Sequence, residues 1–110
     1  HCSAVIFKIL TDDIYEGLYT CNCTLCTKKT IIMKPVAIDN FFILEGSDSL
    51  SCYQWNKEIA KHYFCKNCGV YTHHQRRRDP SQISINIMCV DDIFIPPDTK
   101  IELIDGASHD

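Results

Sequence analysis

The sequence predicts an all-β fold. Three observations carry that expectation: a period-two alternation over residues 83–90, several short apolar runs that stop at turn-forming residues, and no long stretch with a 3.6-residue apolar stripe. With 110 residues the chain is expected to form one domain spanning 1–110. A chain of this size buries roughly 60–70% of the surface its unfolded form exposes, a modest core that a metal staple would reinforce. Hydrophobic residues at 45% and charged residues at 23% exclude a disordered chain. Lys8, Lys34, Glu45 and Asp91 interrupt every apolar stretch, so none nears the roughly 18 residues that would span a bilayer, and a soluble protein with no membrane partner is expected. A formal net charge of −3 and a pI near 5.9 argue against a broad electrostatic grip on nucleic acid, leaving room only for a local patch.

Residues 4–10 are apolar apart from Lys8 and end at Thr11-Asp12-Asp13, which reads as a strand. Tyr19 and Thr20 lead into a group of cysteines. Residues 41–44 are strand-like and stop at Glu45-Gly46-Ser47-Asp48, a turn, and residues 50–55 resume an extended pattern, so the two are expected to pair as a hairpin. Residues 59–64 lead into a second cysteine group and 70–72 lead out. Ile83, Ile85, Ile87 and Cys89 alternate with Ser84, Asn86, Met88 and Val90, which predicts a strand with one wholly apolar face. Pro96 and Pro97 forbid a central strand there, and residues 99–104 supply a last strand before Asp105-Gly106. Helix is limited to one or two turns over residues 56–61.

Eight cysteines admit two readings, disulfides or metal. Cys21, Cys23 and Cys26 form C-x-C-x-x-C, and Cys65 and Cys68 form C-x-x-C before Gly69. Thiols crowded this closely cannot all reach distant partners with the geometry a disulfide needs, whereas one Zn²⁺ gathers several thiolates at about 2.3 Å. Phe64-Cys65-Lys66-Asn67-Cys68-Gly69 reads as a zinc knuckle, its glycine letting backbone N–H groups turn toward sulfur. A thioredoxin-like redox pair would need a helix after the C-x-x-C, and the β-branched and aromatic residues after Gly69 do not supply one. The spacing alone leaves open whether the two groups form separate sites or pool into one four-cysteine site. Use of reduced thiols points to a reducing, cytoplasmic setting.

His1-Cys2-Ser3-Ala4-Val5 resembles the C-H-C-G-A-V opening of the glutathione-dependent formaldehyde-activating enzyme family. Cys21-Asn22-Cys23-Thr24-Leu25-Cys26, residues 41–46, Tyr63-Phe64-Cys65-Lys66-Asn67-Cys68-Gly69 and Cys89-Val90-Asp91-Asp92 then follow in the family's order. The wording of the middle is similar to the branch typified by centromere protein V. The resemblance implies a tent-like, Mss4-like β fold stapled by zinc, with two zinc sites. One is structural and takes Cys2, Cys65 and Cys68, its fourth ligand falling immediately before His1, with His1 itself or a water as the alternatives. The other takes Cys21, Cys23 and Cys26 and leaves a fourth position open.

Chemistry gives that division a purpose. A four-thiolate zinc has no vacancy and contributes folding energy. Three thiolates leave a free position and a net charge of about −1, so the ion is a weak Lewis acid toward water and prefers a soft thiolate. The resemblance then implies glutathione as the thiol and formaldehyde as its partner, a carbon–sulfur lyase or its synthase direction, with Cys21, Cys23 and Cys26 as the catalytic set. The rival from another class is a non-catalytic zinc-stabilised module that binds nucleic acid or protein through Arg76, Arg77 and Arg78, which precede the turn signal Asp79-Pro80 and are expected on an exposed loop. Lys28, Lys29 and the three arginines are candidates for a glutathione carboxylate, set against plain solvation. His73 and His74 are candidates for acid, base or ligand, set against a structural role. Cys52 and Cys89 are expected to be buried free thiols, and Trp55, Tyr53, Tyr63 and Phe64 to be core or pocket wall.

Overall fold

The computed structural model describes residues 1–55 and 58–109. Among these, one helix of six residues, α1 (Thr24–Lys29), accompanies nine strands, so the fold is all-β as expected. β1 (Ile6–Ile9) and β4 (Phe41–Glu45) pair antiparallel as a separate two-stranded sheet. The remaining strands are β2 (Tyr19–Cys21), β3 (Met33–Ala37), β5 (Leu50–Tyr53), β6 (Lys61–Cys65), β7 (Tyr71–Gln75), β8 (Gln82–Asn86) and β9 (Glu102–Ile104). They form one sheet in the order β5-β6-β7-β8-β3-β2-β9, antiparallel except where β9 runs parallel to β2. None of the described helices is long and apolar enough to cross a membrane.

Period-two alternation sorts this sheet into two working faces. On one, Val36, Ile83 and Ile85 are buried beneath Phe7, Ile9, Phe41 and Val90, so the small β1–β4 sheet closes the core there. The opposite face carries a second cluster, Tyr19, Cys23, Cys26 and Met33, with Trp55 and Ile104 packed against it. The alternating segment is therefore buried on both sides: Ser84 is as inaccessible as Ile85. Ser84 is satisfied there by a hydrogen bond with the Tyr19 hydroxyl.

Four expectations about the elements need correction. The strand over 83–90 stops at Asn86, whose side chain donates to the Tyr71 carbonyl and accepts from the Met88 N–H, turning Ile87–Cys89 into a 3-10 turn. The hairpin expected between β4 and β5 does not form. Gly46 lies in the left-handed region (φ +82) with the Ala4 carbonyl pressed so close that a Cβ would sit 1.9 Å from its oxygen, so β4 stays beside β1 while β5 crosses to pair with β6. No strand was expected over residues 33–37, yet β3 forms there with Pro35 inside it; β2 meets it only at Met33, and proline is tolerated along an edge left unpaired. Helix lies in α1 rather than over 56–61: Asn56 and Lys57 are outside the described residues, and Lys61 already belongs to β6.

Candidate metal centres and the cavities beside them

Both cysteine groups fall where strands end. Cys21 closes β2, and Cys23 caps α1, its sulfur accepting the Cys26 N–H at 3.3 Å, while the Cys23 N–H points at the Cys21 sulfur at 3.5 Å. Cys65 closes β6, and the tight return to β7 is fixed by the Gly69 N–H donating to the Cys65 carbonyl at 2.8 Å. Gly69 adopts φ +80, a conformation that side chains disfavour. The strand that follows, in place of a helix, excludes the redox-pair reading.

The sulfurs gather into two triads, Cys2-Cys65-Cys68 and Cys21-Cys23-Cys26, each with all ligand atoms within 4.8 Å of one another. The groups are separate, so the pooled four-cysteine reading is set aside. All eight cysteines are free thiols. Cys2 Sγ and Cys65 Sγ are 3.6 Å apart. That is far beyond a disulfide of about 2.05 Å and close to the edge of about 3.8 Å that a tetrahedron of 2.3 Å zinc–sulfur bonds requires. Both triads therefore fit a thiophilic ion.

The two triads differ in electrostatics. Hydrogen bonds from the Asn67 side chain and the Ala4 backbone hold the Cys2 thiol down at about 6. Burial pushes Cys21 and Cys26 up, as neutral thiols in the absence of a cation. Burying three sulfurs as thiolates at the second triad thus needs a compensating positive charge, which a divalent ion supplies.

Beside Cys21, Cys23 and Cys26 lies a cavity of about 100 Å³. Its floor is Tyr19 and Met33, its apolar side Trp55, Ile59 and Ile104, and its polar side His62, His74, Arg76, Arg77 and Arg78. Gly106 completes it: a Cβ there would meet Cys21 Sγ at 2.4 Å. The segment carrying Gly106 is pinned by Asn22, whose Oδ1 accepts the Ala107 N–H at 2.8 Å and whose Nδ2 donates to Asp105 at 3.2 Å.

Strand register decides which candidates reach this cavity. His74 is opposite Ser84 and His62, which puts it on the cavity face; its neighbour His73 is opposite Ile85 and Tyr63, on the core face. His73 stacks on Tyr63 at 4.6 Å and is structural. The Tyr71 hydroxyl sits 2.6 Å from His74 Nδ1 and 3.2 Å from His62 Nδ1. Burial drives His74 well below the ordinary imidazole value and His62 to about 4, so both are neutral at physiological pH. Lys29 is not a surface lysine: its ammonium lies 3.5 Å above the Tyr71 ring, and burial lowers it to about 8. Lys28 is exposed.

Four further expectations change. The arginines do not form a detached loop but line the cavity. Cys52 is exposed on edge strand β5 rather than buried. Cys89 is half-buried and shares a hollow with Cys2, Cys65 and Cys68, its thiol donating to the Tyr71 carbonyl. Trp55 is a cavity wall as expected, whereas Tyr53 is largely exposed. Tyr19, His62 and Gly106 were not foreseen, since only the sheet order brings them to the cysteines.

The model of the glutathione-dependent formaldehyde-activating enzyme family matches residues 1–103. The chain belongs to that family. A crystal structure of a Rhodobacter sphaeroides protein is similar, with TM-score 0.87 and 27% identity over 94% of this chain and 95% of that one. Membership in the formaldehyde-activating enzyme family thus rests on a match that includes every cysteine of both triads.

Proposed function

We propose that this chain is a zinc-dependent carbon–sulfur lyase or synthase that joins a thiol, glutathione in the first instance, to formaldehyde. Cys2, Cys65 and Cys68 would hold a structural zinc, and Cys21, Cys23 and Cys26 a second one with a fourth position for substrate sulfur. The observation that carries this reading is the lining of the cavity at Cys21, Cys23 and Cys26, where Met33, Trp55 and Ile104 meet three arginines; the hollow at Cys2, Cys65 and Cys68 is lined by no tryptophan, arginine or lysine. A zinc held there supplies a coordination position that stabilises the thiolate of an incoming thiol below its free pKa of about 8.5.

The chain's own residues shape the rest. Addition forms one carbon–sulfur bond, converts the aldehyde C=O to C–O–H, and transfers the thiol's proton to that oxygen; the reverse breaks the same bond. Trp55, Ile59 and Met33 give the reacting end an apolar enclosure that strengthens its electrostatics. His62 and His74, held neutral, are wall and hydrogen-bonding groups rather than imidazolium acids. Gly106 leaves room at Cys21 that any side chain would take away.

The binding-module alternative has less to support it. Its arginines lie along the cavity instead of forming an independent basic face. The deciding experiment is an NMR exchange assay of glutathione with formaldehyde, run with the chain, with Cys23→Ser and with buffer. Acceleration by the chain alone is the expected outcome; equal rates in all three would refute the lyase reading.

A further inference from the structure

We propose that Arg76, Arg77 and Arg78 form a carboxylate subsite at the mouth of the cavity, so that the protein selects thiols carrying an anionic group over neutral ones. The inference rests on the thiol site proposed above and adds the chemistry of what the rest of that thiol must present.

A cavity of about 100 Å³ encloses only the reacting end of a peptide-sized thiol, so the remainder lies at its mouth. Exposure orders the lining by depth. Cys23, Cys26 and Met33 are buried, Arg76 and Arg77 are half-buried like Trp55 and Ile104, and Arg78 is exposed with Ile59 and Asp105, which runs the arginine segment from the wall out to the rim. Arg76 is held ready: its Nη1 donates to Gln82 Oε1 at 2.6 Å, and its guanidinium lies 4.9 Å from the ring centre of Tyr19, itself part of the cavity floor. The turn beyond is fixed by Asp79, which accepts from the Ser81 backbone N–H and hydroxyl.

Charge points the same way. A zinc with three thiolates and a substrate thiolate totals −2, and three guanidinium groups offset both that charge and a carboxylate beside it. Asp105 lies on the same cavity, accepting from Asn22 and Ser108, and is one negative charge against the three positive charges of the arginines. Guanidinium groups match a carboxylate with paired donors, which a neutral thiol cannot use.

Trp55 is the single tryptophan of the chain and lines the cavity, so its fluorescence reports binding without reference to turnover. The zinc-loaded full chain is titrated with glutathione and with glutathione diethyl ester, which lacks both carboxylate charges. Glutathione is expected to bind at least about tenfold more tightly. In Arg77→Gln/Arg78→Gln that preference narrows to about twofold or less, and in Arg78→Glu it shifts toward the ester, while zinc content and circular dichroism match the parent chain. Equal affinity for the two ligands in the parent chain overturns the subsite and leaves the thiol site standing. An undiminished preference in both variants overturns the assignment to this turn. No response to either ligand overturns the thiol site and the subsite together.

Discussion

Gly106 sets the tightest steric limit at the cavity, because a methyl group there would meet Cys21 Sγ at 2.4 Å. Something must move, and the sulfur is the part with freedom to do so. Overpacking of this kind costs about 1–3 kcal/mol. Gly106→Ala is therefore expected to lower bound zinc from two ions per chain toward one, read by elemental analysis of the dialysed protein, while leaving the Cys2-Cys65-Cys68 site filled. Retention of two zincs with unchanged glutathione binding would show that the contact is unimportant. The cysteines were legible in the sequence because metal-ligand spacing is local: Cys21, Cys23 and Cys26 span six residues, and Cys65 and Cys68 span four. Gly106 was not, since its importance arises from β9 lying parallel beside β2, a pairing that no spacing announces.

At the scale of a strand, β7 shows how one step of the pleat separates two roles. His74 faces the cavity, while His73 is buried on the core face between Phe41 at 4.5 Å and Tyr63 at 4.6 Å, with Thr72 bonded to its Nδ1. Burial holds His73 at about 4, below the ordinary 6.5. The unfolded chain then binds the extra proton first as pH falls, so the stability contribution is fully present above pH 6.5 and is lost progressively between 6.5 and 4. Between pH 7 and 5 the loss is on the order of 2 kcal/mol for this one residue. His73→Phe keeps the stacking and removes the titration, so urea unfolding of the variant is expected to lose less stability than the parent over that pH range; metal release at acid pH is common to both chains and cancels in the comparison. Equal losses would contradict the assignment. The strands themselves were readable from alternation and turn residues, apart from β3, where Pro35 masked the pattern. Pairing was not readable: Gly46 announced a turn, but only the contact with Ala4 shows that the chain changes sheets there.

Over the whole molecule the division proposed for the two triads follows from how much chain a metal at each would tie together. Cys2 and Cys65 are 63 residues apart in sequence, so a metal joining them fixes the start of the chain to the end of β6. Cys21 and Cys26 are separated by five positions, and a metal there closes only a local loop. Loop-closure entropy grows as the logarithm of loop length, which makes the long tie worth about 2 kcal/mol more than the short one. That difference is a large share of the roughly 5–15 kcal/mol by which a domain is stable. Cys68 and Cys21 are both half-buried, so replacing either by serine disturbs packing to a similar degree. Cys68→Ser is accordingly expected to melt about 8 °C below Cys21→Ser in matched scans, the conversion appropriate to a domain near 100 residues. Cys21→Ser, for its part, is expected to keep the cooperative unfolding of the sheet and to lose glutathione binding, since its cavity depends on the sulfur it lacks. A Cys21→Ser chain that melts at or below Cys68→Ser would place the main staple at the cavity, and the assignment of one triad to holding the sheet and the other to holding substrate would have to be reversed.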